Sequence, residues 1–415
     1  MNKTNHLLLF VIILIFTACK SNDDSKLTSS SFVIIQGNEL IKPDGEKLFI
    51  QGTNLGNWLN PEGYMFGFSR TNCEWMINEM LCEMVGPDFT AEFWQKFKDN
   101  YISRQDIEFI AQQGANTIRL PFNYKLFTEE DYMGLANNID EGFIRMDSTI
   151  SWCRDNHLFL ILDMHDCPGG QTGDNIDNGH GYPWLFESEH SQDLFCKVWQ
   201  RIAKRYKDEP VILGYELMNE PIAPYFTNKE EINQKLEPLY KRAVKAIREF
   251  DQNHIILLGG ARWNSDFYMF KDWTFDNKIM YTCHRYGGEA SAEAIRNYIE
   301  FRDKTNLPMF MGEFGHNTMQ WQSDMCHVLK DNNIGYTFWP YKKIGSSCMN
   351  AIGEPNEWQD IVVKYSETPR GSFREFREAR PDQHQARQLL LQLLDSMQFE
   401  NCHPQVEYIE SMSMK

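Results

Sequence analysis

Tyr215-Glu216-Leu217-Met218-Asn219-Glu220-Pro221 follows the apolar run Val211 to Leu213 and stops at a proline. The run reads as a buried parallel strand, closed because proline cannot donate the next ladder hydrogen bond. Glu220 therefore sits at a strand's carboxyl end, where the loops of open α/β sheets and (β/α)8 barrels converge on one crevice. Pro308-Met309-Phe310-Met311-Gly312-Glu313-Phe314-Gly315 has the same form and delivers Glu313 at its end. Either glutamate alone reads as well as a solvated loop residue or a neighbour of a helix N-cap. Together they supply what glycoside hydrolysis needs: one carboxyl to protonate the leaving oxygen, one to attack or stabilise the anomeric carbon.

Leu217-Met218-Asn219-Glu220-Pro221 and Met311-Gly312-Glu313-Phe314-Gly315 resemble the acid/base and nucleophile signatures of glycoside hydrolase family 5, retaining β-glycosidases on a TIM barrel. The resemblance runs from about Phe49 to Lys342 and includes seven strand-end motifs in the family's order. It implies an α/β fold, a (β/α)8 barrel with enlarged loops at its carboxyl-end face, and assigns Glu220 as acid/base and Glu313 as nucleophile. It further implies that Asn219 bonds the sugar 2-hydroxyl.

Strand two is Asn116 to Pro121 and contains Arg119. A guanidinium inside a strand needs carboxylate partners. A salt bridge to a helix acid would serve; the resemblance implies Arg119 holding the nucleophile ionised instead. Strand three, Leu158 to Met164, ends in His165, a structural histidine or, by the resemblance, a contact to the sugar beside the scissile bond. The loop from Asp166 to Asn175 lacks the GK[ST] ending of a phosphate loop and reads as a clasp for sugar hydroxyls. Strand five is Ile255 to Leu258. Strand six, Lys278 to Cys283, leads into His284-Arg285-Tyr286, similar to the family's His-x-Tyr, in which the tyrosine bonds the nucleophile and the histidine supports the acid/base. Alternation along a strand sends Arg285 the other way. Strand eight, Gly335 to Trp339, ends in an indole suited to the CH face of a pyranose or to core packing.

Phe32 to Ile35 and Lys47 to Ile50, around Pro43-Asp44-Gly45, predict an N-terminal hairpin able to plug a barrel. The following Gln51 to Leu59 resembles the family's first strand and loop. In the exo-β-1,3-glucanase branch that loop carries a sugar-contacting glutamate, and Glu62 has the matching spacing; Asn57 replaces a usual glycine. Ser103 and Asp106 form an acidic capping box for a helix ended by Gly114. Gln385 to Met397 reads as a late helix, the barrel's eighth.

The 415 residues, 42% hydrophobic and 24% charged, suit one enlarged barrel domain over 32–400 with a tail at 401–415. A net charge of -17 argues against nucleic acid, which needs a basic face. Lys3, the apolar run Leu7 to Phe16 and Thr17-Ala18-Cys19 resemble a lipoprotein leader (1–19) with Cys19 lipidated, then a disordered tether (20–31). A plain signal peptide is the alternative; either way the chain is exported, to the outer membrane or cell surface if anchored, periplasmic or secreted if not. Nine of the ten cysteines follow Cys19, an odd number with no CxxC pair; Cys153, Cys196 and Cys283 read as core residues. Asp163 and His165 are spaced like metal ligands, but no second histidine cluster accompanies them, so neither metal nor cofactor is expected. The expected partner is a β-linked oligo- or polysaccharide, taken by a monomer. An exo-β-1,3-glucanase or β-glucosidase fits the loop motifs best, and an endo-acting β-1,4-glucanase or mannanase, or a glycosylceramidase, stands beside it. A glycan-binding protein with a dead barrel is the reading from another class.

Overall fold

The computed structural model describes residues 31–414 apart from 137, 178 and 179. The leader with Cys19, and the tether up to residue 30, lie outside the described residues. Eight parallel strands close into a barrel in chain order: Gln51–Asn54, Thr117–Asn123, Phe159–Asp166, Ile212–Glu216, Ile255–Gly259, Ile279–His284, Met309–Gly315 and Gly335–Trp339. We number them one to eight; strand eight pairs with strand one and completes the (β/α)8 barrel.

Alternation sorts the side chains into two shells. On strand three, Leu160, Leu162 and Met164 join the outer core beneath the helices, while Ile161 joins an inner cluster. That inner cluster, with Leu213, Ile255, Leu257, Met280 and Phe310, fills the lower barrel and is sealed by Val33, Leu40, Leu48 and Ile50 of the N-terminal segment. The segment is the expected plug, with a different pairing: Ile34–Gln36 pairs with Glu39–Ile41 around Gly37, and across Pro43–Gly45 there is only the Ile41–Lys47 bridge.

Strict alternation would not deliver Glu313 to the lumen. Phe310 points inward, so Glu313, three residues on, would point out. An extra residue between Met311 and Phe314, against Tyr336 and Phe338 of strand eight, bulges the strand and restores the inward direction. The pairing with strand six slips at the same bulge, Cys283 and His284 facing Met311 and Glu313.

The capping box forms as predicted, with Ser103 N donating to Asp106 at 2.7 Å. Asp106 also pairs with the buried Lys342 at 2.5 Å, fixing the chain just after Trp339. The late helix, Gln383–Ser396, is not the barrel's eighth. It packs on the helices Glu74–Val85 and Pro87–Asn100, because its apolar face of Leu389, Leu390, Leu393 and Leu394 needs a broad apolar partner. The place beside strand eight goes to Val406–Ser411, packed on the helix Met319–Asp331, with Tyr336 donating to Met412 O at 3.0 Å. Residues set apart above as a tail thus line the barrel wall. All nine described cysteines are free, and Cys153, Cys196 and Cys283 are buried. Among the described residues no helix is long and apolar enough to cross a membrane.

Candidate active site

Glu220 and Glu313, 93 positions apart in sequence, meet above the barrel. One oxygen of each and a nitrogen of His284 lie within 4.8 Å of one another. His284 Nδ1 stands 2.7 Å from Glu220 Oε1 and 3.6 Å from Glu313 Oε2. Glu220 adopts a left-handed backbone, φ 43°, and Pro221 follows it. Thr172 donates to its carbonyl at 2.7 Å, and Gln171 donates to those of His165 and Asn219 at 2.7 and 2.8 Å. The loop expected to clasp sugar therefore spends Gln171 and Thr172, both fully buried, on holding the backbone at Glu220.

Arg119 is fully buried and uses every edge of its guanidinium. Nε and Nη2 donate to Glu216 at 2.7 and 2.8 Å, Nη1 to Glu313 at 2.7 Å and to Asn54 at 3.0 Å, and Nη2 to Asn219 at 2.8 Å. Asp163 lies 3.0 Å from Nη2. The balancing acids are strand residues, not the helix acid considered above. Tyr286 OH donates to Glu313 Oε2 at 2.5 Å. Burial alone would push the Glu313 carboxyl up, but the facing His284, the Arg119 guanidinium and the Tyr286 hydroxyl outweigh it and hold it below the ordinary carboxylate range. Burial and the nearby carboxylates push the Tyr286 hydroxyl far up, so it remains a donor.

His165 has a carboxylate at each nitrogen, Asp163 at 2.7 Å from Nδ1 and Glu62 at 3.7 Å from Nε2. Burial opposes its protonation; these two acids prevail and raise it. Glu62 is itself buried, which together with Glu313 and Glu220 raises its carboxyl against the pull of His165, and its Oε1 has no hydrogen-bond partner among the described residues. Its position depends on Asn57, whose Oδ1 accepts from Glu62 N at 2.9 Å and whose φ of 69° lies where asparagine substitutes best for glycine. Trp339 lies parallel to the His165 ring, 5.1 Å between centroids, so the face expected to meet sugar is partly shared with that histidine. Its Nε1 donates to Tyr64 OH at 2.5 Å.

Two lobes share Glu220 and Tyr286. One, about 340 Å³, contains Glu313 with Glu62, His165 and Trp339. The other, about 430 Å³, lacks Glu313 and presents Trp263, Asp174 and Arg285. Arg285 thus faces the cleft and does not turn away: strand six ends at His284, so alternation no longer applies, and Arg285 N donates to Glu313 O at 3.1 Å. Sequence reasoning missed Glu216, Asn54 and Trp263, and weighed Asp163 only as a metal ligand, not as a partner of Arg119. For Asp163 the inward period of two from Ile161 was the available signal; for Glu216 an extra residue at Leu213 breaks that period, and Trp263 carried none.

The cellulase model, glycosyl hydrolase family 5, matches residues 78–344. A β-xylosidase of Phanerodontia chrysosporium is 30% identical over 370 residues, 80% of this chain and 75% of its own. Endoglucanase C of Acetivibrio thermocellus is 27% identical over 324 residues, 63% of this chain and 90% of its own. The crystal structure of an endogalactoceramidase shares the fold with a TM-score of 0.57 at 16% identity, over 75% of each chain. With the match running through most of the barrel and including both glutamates, the chain belongs to glycosyl hydrolase family 5 and is a retaining glycosidase.

Proposed function

We propose that Glu313 is the nucleophile and Glu220 the general acid/base of a β-glucosidase or exo-β-1,3-glucanase in polysaccharide breakdown. The carrying observation is the approach of the two carboxylates to within 4.8 Å, oxygen to oxygen. Retaining hydrolysis needs carboxyls about 5 to 5.5 Å apart, and inversion about 6.5 Å or more. Glu313, kept ionised by Arg119 and Tyr286, attacks the anomeric carbon while the Glu220 proton passes to the glycosidic oxygen. The bond to the leaving group breaks and an ester to Glu313 forms. Glu220, now ionised, takes a proton from water, whose oxygen attacks the same carbon and frees Glu313.

The lobe that contains Glu313 holds the glycone, since the anomeric carbon must reach that carboxylate. Glu62, His165 and Trp339 then bind this sugar, Glu62 through Oε1, which makes no hydrogen bond among the described residues. Asn219, fixed by Arg119, bonds the 2-hydroxyl, a contact that strengthens as the oxocarbenium-like transition state forms. The lobe with Trp263 and Arg285 takes the leaving group. The loop from Asn54 to Trp58 and the position of Glu62 favour glucose and exo action over the endo-acting alternatives. Products released from β-1,3, β-1,4 and β-1,6 glucans, mannan and glucosylceramide test this: single glucose units from β-1,3-glucan support it, and internal cleavage of a β-1,4 polymer overturns the substrate assignment. From the leader alone we infer export and a lipid anchor at Cys19; labelled palmitate entering the wild type and absent from Cys19→Ala would support it.

A further inference from the structure

Five aromatic side chains form one strip that starts in the leaving-group lobe and crosses three loops of the carboxyl-end face. It runs from Trp263, after strand five, to Tyr225 and Phe226, after strand four, and on to Tyr182 and Trp184, after strand three. Ring centroids along it are 6.1, 5.0, 5.3 and 4.6 Å apart. Trp263 belongs to the lobe itself, and the Tyr225 hydroxyl donates to Gly173 O at 3.2 Å, one residue before the lobe's Asp174. The strip is therefore continuous with the site.

Part of it is scaffold. Phe226 and Tyr182 are half-buried and tie two loops together: the Asn228 amide lies 2.8 Å from the Tyr182 hydroxyl, and a Cβ at Gly173 would come within 2.5 Å of the Phe226 ring. A tie between loops gains by covering its rings. Tyr225 is nonetheless 54% exposed and Trp184 48%, although Leu185 and Phe186 beside Trp184 are buried. Trp263 sits at φ 53°, between Arg262 at 53° and Asn264 at 59°. Bulky side chains crowd the backbone there, and such strain persists where the surroundings impose it, as at ligand clamps. Here Arg262 N donates to Ile222 O at 2.9 Å and Asn264 N to Gly260 O at 3.1 Å.

We infer that the strip binds the distal sugars of the leaving chain, so that the preferred substrate is a glucan several units long and not a small β-glucoside. The inference rests on the leaving-group lobe proposed above and selects between the two substrate classes named there. A pyranose lays its CH face on an aromatic ring and keeps its hydroxyls in water, which an open strip permits. A lipid tail in the same place would gain little, because apolar burial scales with the area removed from water and Trp184 and Tyr225 stand on open surface.

Rates on glucose oligomers from dimer to hexamer, in the β-1,3 and β-1,4 series, and on alkyl glucosides of increasing tail length test this. In the wild type, kcat/KM is expected to rise at least about tenfold from dimer to hexamer. Trp184→Ala is expected to lower the hexamer value at least about fivefold more than the dimer value, and Trp184→Phe to restore most of it. Turnover is not required: with Glu313→Gln the hexamer is expected to bind at least about tenfold tighter than the trimer, and adding Trp184→Ala is expected to remove most of that gap. Equal binding of trimer and hexamer overturns the inference. So does a folded Trp184→Ala that weakens dimer and hexamer alike, or a rate that climbs with alkyl tail length and not with the number of sugars. Oligomer binding of the expected pattern without turnover of any glycoside would instead defeat the assignment of Glu220 and Glu313 and leave the strip standing.

Discussion

Glu216 takes two N–H groups of Arg119, at 2.7 and 2.8 Å, in a bidentate pair wholly inside the barrel. The pair fixes the plane of the guanidinium and so aims Nη1 at Glu313. Lysine, a point charge on a flexible stem, could not serve Glu216, Asn219 and Glu313 together. Although Glu216 lies beneath the site, Glu216→Ala is expected to lower kcat/KM by about 10²-fold through misplacement of Glu313. It is also expected to cost about 3–5 kcal/mol of stability for the broken buried pair. Steady-state kinetics and denaturant unfolding of Glu216→Ala and Arg119→Lys check both.

Gly56 is what lets Trp339 lie where it does. A Cβ there would stand 2.8 to 3.1 Å from three ring carbons of the indole. Gly56→Ala is expected to push the ring off His165 and raise KM at least about fivefold, roughly 1 kcal/mol of binding, with the fold retained. Titration with a glycone-sized inhibitor, followed by tryptophan fluorescence, reads the same change directly.

Stability has its own pH dependence. Burial raises the Glu74 carboxyl to about 7, against the hydrogen bond it accepts from Met133 N. A carboxyl raised on folding contributes stability that is present below its unfolded value near 4.3 and is lost as pH rises through about 7. Glu74→Gln is therefore expected to be more stable than the wild type at pH 8, by about 1–3 kcal/mol, and not at pH 5. Thermal unfolding of the two proteins at both pH values measures the difference.

Glu220, His284 and Glu313 have the spacing of a three-ligand cation site. The reaction proposed here uses Arg119 as the countercharge of Glu313 and leaves a metal no step. Prolonged dialysis against a chelator is expected to change kcat/KM by less than about twofold, within ordinary assay scatter on the free-energy scale. Loss of activity restored by a divalent cation would point to a metal at this cluster.

The strand ends, and through them Glu220, Glu313, His165, His284 and Trp339, were legible because barrel strands follow a simple rule: an apolar run stops and polar chemistry begins. What binds these groups together was less legible. Arg119 announced that it needed acids, but which acids depended on strand registers, such as Asp163 beside Glu216, that only pairing reveals. The bulge that turns Glu313 inward leaves no mark in composition. Arg285 was misdirected by extending alternation one residue past the strand. The C-terminal helix was unreadable because its six residues are too few for a period to show.

A 2-deoxy-2-fluoro-β-glucoside carrying a good leaving group shows whether Glu313 forms the covalent bond to sugar. The fluorine slows the second step, so the glycosyl-enzyme should accumulate, and peptide mass spectrometry should place one fluorosugar on Glu313. A label on Glu220 or Glu62, or inversion of the anomeric proton signal in the first product released with no labelled peptide, would contradict it.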